Sequence, residues 1–334
     1  MFGEEYMMAG READIAIRRN YFEDTFLLIG EFKMLDHDMN YVLRISSFGS
    51  RSGNEQNIQV YFGLLDDTMR EFTESRFIYD QNQVIMDPKR LLLRAENVEL
   101  NETYSGLKVY VRTDTLTLDF LVSNDGHKND FRSLERLEIN NRVEGYAYPY
   151  CLTEGTALIG HNYCDVMGSL YYLRRFQNHP GRFDRRTGQT SILRGFSRNE
   201  ADAPSQEANS LYGFFTLSDG KRISFGAFGY GNEQDHYCVL TEGNLVNEHP
   251  INPIQFSVTD SPDPEDPEAS PNKEVIVRVA ASDDKFSLKL RRVLTLNENV
   301  SPEKKDFRIY DRFARLSGTI DGHKIHGHGC LVLT

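Results

Sequence analysis

Residues 143–176, VEGYAYPYCLTEGTALIGHNYCDVMGSLYYLRRF, decide how the rest of this 334-residue chain is read. The stretch is rich in Tyr, Gly and aliphatic or β-branched residues and reads as two extended segments joined by a turn at Glu154-Gly155. Within it Ile159, His161, Tyr163 and Asp165 alternate with Leu158, Gly160, Asn162, Cys164 and Val166. Successive side chains of a strand point to opposite faces, so His161, Tyr163 and Asp165 share one side. A phenol, an imidazole and a carboxylate in a row on a wall that should be apolar form a candidate proton-handling group. Glu154, Tyr148 and Tyr150 lie close in sequence and could share the site. The bland alternative is a polar cluster satisfied by backbone hydrogen bonds.

Working towards the N-terminus, short β-like runs recur: 26–34, 41–48, 56–65, 71–79, 84–86, 91–100, 107–113 and 115–122. Turn chemistry such as Asp87-Pro88 and Asn124-Asp125-Gly126 separates them. Only 130–137 hints at a helical period, and residues 1–20 read as a tail or short helix. The pattern is all-β with short connections, typical of sandwiches and up-and-down barrels.

The second half repeats the first in outline. Tyr61–Asp67 resembles Tyr212–Asp219. Val109–Arg112 with Leu116–Leu118 resembles Val275–Arg278 with Phe286–Leu288. Arg142–Gly145 resembles Lys324–Gly327. Three matches in one order point to two copies of a β unit, residues 21–150 and 151–334. Residues 174–209 carry seven arginines, from Arg174 to Arg198, and read as the connection between the copies. The proline- and acid-rich DSPDPEDPEASPN at 260–272 reads as an exposed insertion.

Composition narrows the function. Apolar residues make up 39% and aromatics 11%, all of the latter Phe (21) and Tyr (17), with no Trp. A net charge of −12 argues against nucleic-acid or anionic-membrane partners. No apolar run approaches a membrane span, and no secretory signal opens the chain, so a cytoplasmic location is expected. Four cysteines stand singly, as reduced buried thiols would.

No phosphate loop, dinucleotide fingerprint, nucleophile elbow or zinc-protease motif occurs. His323, His326 and His328 in DGHKIHGHG place two imidazoles on one face of a strand, a metal-ligand spacing. The same run also reads as a hairpin with solvated histidines, which is preferred, so neither metal nor cofactor is expected. The arginines of 174–209 could clamp an anion or offset the acidic surface. Gly226–Gly231, which includes Phe228, reads as a bulged strand. In Arg308–Phe313, Tyr310 packs and Asp311 could face a cavity.

The closing run RIYDRFARLSGTIDGHKIHGHGCLVL and the strand–turn–strand FFTLSDGKRISF resemble the two-domain lipocalin-like family of carotenoid hydratases, of the hydroxyneurosporene synthase type, and lipocalin-like Diels–Alderases and other cyclases. The resemblance implies two lipocalin-like, or calycin-like, antiparallel β-barrels or curved sheets in tandem. The family's second domain commonly opens on a Trp-rich segment. Here HNYCDVMGSLYYLRRF takes its place, so no catalytic role is carried over.

The expectation is a cofactor-independent enzyme of natural-product biosynthesis acting on a hydrophobic isoprenoid or polyketide by cyclisation, hydration or isomerisation. His161, Tyr163, Asp165, Glu154 and Asp311 are the candidate catalytic residues, with Tyr148, Tyr150, Tyr172, Phe228 and Tyr310 as candidate ligand contacts. The alternatives are a non-catalytic lipocalin-like carrier of a lipid-like molecule and a scaffold without a cavity.

Overall fold

The computed structural model describes residues 23–49, 56–69, 71–87, 91–103, 105–123, 137–139, 143–177, 208–230, 233–242, 245–261, 272–294 and 310–333. Among these, strand is nearly universal, and one 3₁₀ turn at Gln81–Gln83 is the sole helical piece.

The first four strands are β1 (Glu23–Met34), β2 (His37–Gly49), β3 (Gln56–Asp66) and β4 (Glu71–Asp80). Then come β5 (Ile85–Met86), β6 (Leu92–Arg94), β7 (Val98–Thr103), β8 (Gly106–Arg112) and β9 (Leu116–Ser123). After β10 (Leu137–Ile139), the long β11 (Val143–Ile159) and β12 (Asn162–Gln177) close the sheet. Its order is β4-β3-β2-β1-β12-β11-β9-β8-β7-β6-β5, with β10 off this path.

The second sheet comprises β13 (Ala208–Leu217), β14 (Arg222–Tyr230), β15 (Glu233–Glu242), β16 (Leu245–Glu248) and β17 (Gln255–Ser261). It continues through β18 (Asn272–Ala280), β19 (Phe286–Leu294), β20 (Tyr310–Ile320) and β21 (His323–Leu333). Its order is β16-β15-β14-β13-β21-β20-β19-β18-β17. Every registered pair is antiparallel, and both sheets curl on themselves.

The topologies match, except that the first sheet carries two further strands, β5 and β6, at its far edge. Three strands step outward from a central one, the chain crosses to the far edge, and the returning strands end with a hairpin beside the starting strand. The expected duplication is thus real in topology, but two of its three sequence anchors are misplaced. Counting from the closing hairpin, β8 and β9 correspond to β18 and β19, as the Val109–Arg112 match requires. Tyr61–Asp67 ends the third strand of its unit, whereas Tyr212–Asp219 ends the first of the other. Likewise Val143–Gly145 opens β11, while Lys324–Gly327 lies in β21, the counterpart of β12.

The boundary moves too. One compact unit is Met1–Lys128 with Gly145–Asn178, and the other Asn129–Glu144 with His179–Thr334. The hairpin expected to open the second domain therefore completes the first. Its turn is at Gly160-His161, not at Glu154-Gly155. Gly160 has φ +60, the left-handed conformation that favours glycine. Gly155 sits inside β11 opposite Phe120, where an added Cβ would lie 2.2 Å from the Asp119 carbonyl oxygen.

Each unit buries its own core. Alternate strand residues feed it, among them Phe26, Leu28 and Phe32 of β1, Leu43 and Ile45 of β2, and Val166 and Leu170 of β12. In the second unit Leu211, Phe215 and Leu217 play the part of β1, packed with Phe225, Leu288 and Leu331. Of the loops, Arg174 and Arg175 belong to β12, and 178–207 lie outside the described residues. The acidic stretch does connect a hairpin, since Ser261 pairs with Asn272, and its middle lies outside the described residues, as do residues 131–136 and the N-terminal tail.

Candidate ligand site on the inner wall of the first sheet

Strand parity decides which side chains face the first core. In β12 the even positions, Cys164, Val166, Leu170 and Tyr172, belong to it. Tyr163 and Asp165 do share a face of β12, as the alternation requires, but it is the other one, and His161 stands in the hairpin turn. All three are exposed, Tyr163 by 76%. Glu154, on β11, is exposed as well. The expectation that this group lines the hollow is corrected: Cys164 and Val166 take the inward positions.

The inward phase of β12 carries one charge. Arg174 is 0% exposed, and on β1 Asp24, in phase with Phe26 and Leu28, is 2% exposed. Arg174 donates from Nε to Asp24 Oδ1 at 3.2 Å and from Nη2 to Oδ2 at 2.9 Å, a two-point clamp. Its guanidinium carbon lies 4.6 Å from the centre of the Phe26 ring, which Arg174 opposes across the ladder. Removing two ions from water costs several kcal/mol each, and only good geometry and further polar contacts offset it. A greasy wall therefore holds a fixed pair of opposite charges.

Beside this wall Tyr148 of β11 stacks on Tyr172, with centroids 5.8 Å apart and planes 15° apart. Tyr172 is buried and Tyr148 half-buried, so the pair reaches from the core towards solvent. Tyr150 is buried but stands outside this core cluster. Further along, Tyr41 packs between Phe32 and Phe120, at 5.6 and 5.8 Å. These rings sit across from strand glycines: Tyr41 opposes Gly30, Phe32 opposes Gly168 and Phe120 opposes Gly155.

The second core holds polar groups that sequence reasoning did not single out. His249 meets the Phe286 ring edge-on, centroids 5.4 Å apart. Burial pushes its pKa below the usual histidine value, outweighing the pull of the Asp283 carboxylate. His236 places Nε2 3.0 Å from the Ile251 carbonyl oxygen. Phe228 lies in β14, and Tyr310 and Asp311 begin β20, but their side chains lie outside the described residues.

His326 and His328 share the outer face of β21, and His323 lines an open cleft of about 250 Å³ with Ser218, Asp219, Lys221, Asp321 and Lys324. Two lysines there oppose a bound cation. Among the described residues no three His, Cys, Asp or Glu side chains converge as a metal-holding set.

The fold has known counterparts. A crystal structure of a Nitrosomonas europaea protein given the provisional name AttH superposes with a TM-score of 0.62, 11% identity, and coverage of 96% of this chain and 94% of that one. Kievitone hydratase from Nectria haematococca gives a TM-score of 0.56 at 12% identity, with coverage of 93% and 88%. The fold is lipocalin-like. At such identities the likeness is one of architecture alone. No protein-family model matches the chain, and no curated protein sequence does. No helix among the described residues is long and apolar enough to cross a membrane.

The missed pair left a trace in the sequence. Asp24 falls in phase with Phe26, Leu28, Phe32 and Met34, and Arg174 in phase with Val166, Leu170 and Tyr172. Two opposite charges, each out of place on an apolar face, mark a buried pair. Reading Arg174 as the first residue of a loop hid it.

Proposed function

We propose that the chain is a cofactor-independent enzyme acting on a hydrophobic small molecule of isoprenoid or polyketide type, with hydration as the first reaction to test, ahead of cyclisation and isomerisation. The observation that supports this most is the Asp24–Arg174 clamp on the apolar wall of the first unit. An apolar substrate would lie against the aromatic lining. Protonation of an alkene develops positive charge, and the member of the pair that would stabilise it is the Asp24 carboxylate, fixed in place by Arg174 where water is excluded. The Tyr148 and Tyr172 hydroxyls are the nearest candidates to hydrogen-bond the substrate or pass it a proton. Kievitone hydratase, of similar fold, is by name a hydratase, and this ranks water addition first.

A panel of polyene and prenylated aromatic compounds, incubated with the protein in heavy-oxygen water, tests the reading. Hydration adds labelled water to the product; cyclisation and isomerisation change its retention but not its mass. Tyr172→Phe and Tyr148→Phe should lower turnover without unfolding the protein. Turnover that survives both changes removes these hydroxyls from the reaction.

The carrier reading is favoured by a separate fact: His161, Tyr163, Asp165 and Glu154 all face solvent. A co-purified apolar ligand, seen by native mass spectrometry and recovered unchanged, would establish a carrier instead.

A further inference from the structure

Among the described residues β4 ends the first ladder and pairs on one side with β3. It is ten residues long, whereas the other ladder ends, β5, β16 and β17, have two, four and seven. An end strand offers its outward backbone groups to any strand that can lie alongside, and proteins blunt long edges with lysine, proline or bulges. β4, EFTESRFIYD, contains neither lysine nor proline. It pairs with β3 residue for residue from Asn57↔Asp80 to Asp66↔Glu71, without a bulge.

One face of β4 presents Phe72, Glu74, Arg76 and Ile78, all exposed, with Phe72 at 38% and Ile78 at 46%. A two-fold axis normal to a sheet keeps each face on its own side. A residue can then oppose only residues of its own parity, so the axis must pass through a residue rather than between two. Centring on Glu74 or Arg76 sets like charges against each other. Centring on Thr73 sets Phe72 against Glu74, and centring on Phe77 sets Arg76 against Ile78. Among registers that overlap more than half of the strand, only the one centred on Ser75 is complementary: Glu74 opposes the partner's Arg76 and Phe72 opposes the partner's Ile78, each twice by symmetry.

The geometry points to β4 as a self-pairing edge, joining two copies of this chain antiparallel about a two-fold axis at Ser75. Arg76 Nη2 now lies 3.2 Å from Glu74 Oε1 within the strand, and its guanidinium carbon 5.7 Å from the centre of the Tyr61 ring. An exposed pair of this kind is weak, so exchanging the one in each copy for two across the seam loses little. Opposite charges and apolar pairs directly across a ladder are what stabilise strand pairing.

The test uses the full chain. Cys151, Cys164, Cys238 and Cys330 are all buried, which makes a thiol introduced on β4 the reactive one. Ser75→Cys should form a disulfide-linked dimer under mild oxidation, whereas Thr73→Cys, set opposite the partner's Phe77, should not. In sedimentation equilibrium, Arg76→Glu should raise the dimer dissociation constant roughly tenfold or more, because attraction at two sites becomes repulsion. Glu74→Arg with Arg76→Glu should restore it, with circular dichroism showing each variant folded. A wild-type chain monomeric at every accessible concentration overturns the proposal. So does Arg76→Glu without effect, a double exchange that fails to restore pairing, or equal cross-linking at Thr73.

Discussion

Arg174 and Asp24 are individually the most costly residues to bury and together the most informative. Removing one partner leaves an unpaired charge in an apolar wall, so Arg174→Met should destabilise the protein by ~3–5 kcal/mol in urea unfolding. Asp24→Leu combined with Arg174→Met should recover most of that loss, because apolar replacements leave no charge behind. If the double variant is as unstable as the single one, the pair is anchored by more than its mutual charge. A milder charge effect operates at the β1–β2 end. Burial alone would raise the Asp66 carboxyl, but the Met69 amide at 3.0 Å, the His37 ring at 2.6 Å and the Thr68 amide hold it below its usual 3.8. A lowered carboxyl stabilises the fold above its unfolded value, and that contribution is lost as pH falls through the folded value. Stability measured from about pH 5 down to about pH 2 should therefore fall less steeply in Asp66→Asn than in the wild type.

Strands, more than residues, show why the sequence was legible in outline and misleading in detail. The runs expected to be extended are strands, except that 91–100 breaks at 95–97 into β6 and β7, because period-2 alternation and turn residues report local geometry directly. Alternation also grouped Tyr163 and Asp165 correctly, though His161 falls in the turn, but it does not say which face turns inward; the core that takes Cys164, Val166, Leu170 and Tyr172 decides that. Of the three repeat anchors, the aromatic run Tyr61–Asp67 misleads because any two β-rich halves share such runs. The true trace of the repeat is Leu28-x-Gly30-x-Phe32-x-Met34-x-Asp36 against Leu211-x-Gly213-x-Phe215-x-Leu217-x-Asp219. Both stretches end the first strand of a unit, and both glycines oppose a ring on the next strand, Tyr41 or Phe225. The closing hairpins complete the match. Gly168 opposes Phe32 and Gly329 opposes Phe215, while Gly155 opposes Phe120 and Gly318 opposes Leu288. An added Cβ would lie 2.0 Å from the Glu31 carbonyl oxygen at Gly168 and 2.1 Å from that of Phe214 at Gly329. Backbone cannot give way as a side chain can. Gly168→Ala and Gly329→Ala should each cost at least ~1–3 kcal/mol and lower the melting temperature. Gly160→Asn, at a turn with φ +60 and nothing within 4 Å, should stay close to wild type.

At the scale of the whole chain, the two core clusters share no residue, so each unit carries its own reason to fold. The cysteines are divided evenly between them: Cys151 and Cys164 in the first unit, Cys238 and Cys330 in the second. Burial pushes the Cys151 thiol up to about 12 and the Cys238 thiol upward as well, so thiolate is scarce as well as shielded. The native protein should therefore resist alkylation at all four positions, and labelling should begin only as a unit opens. In Arg174→Met the broken clamp lies entirely in the first core. Mass-mapped alkylation along a urea series should then show Cys151 and Cys164 reacting at lower urea than in the wild type, with Cys238 and Cys330 keeping the wild-type midpoint. If all four shift together, the units unfold as one cooperative body, and the local cost of the buried charge is carried by the entire molecule.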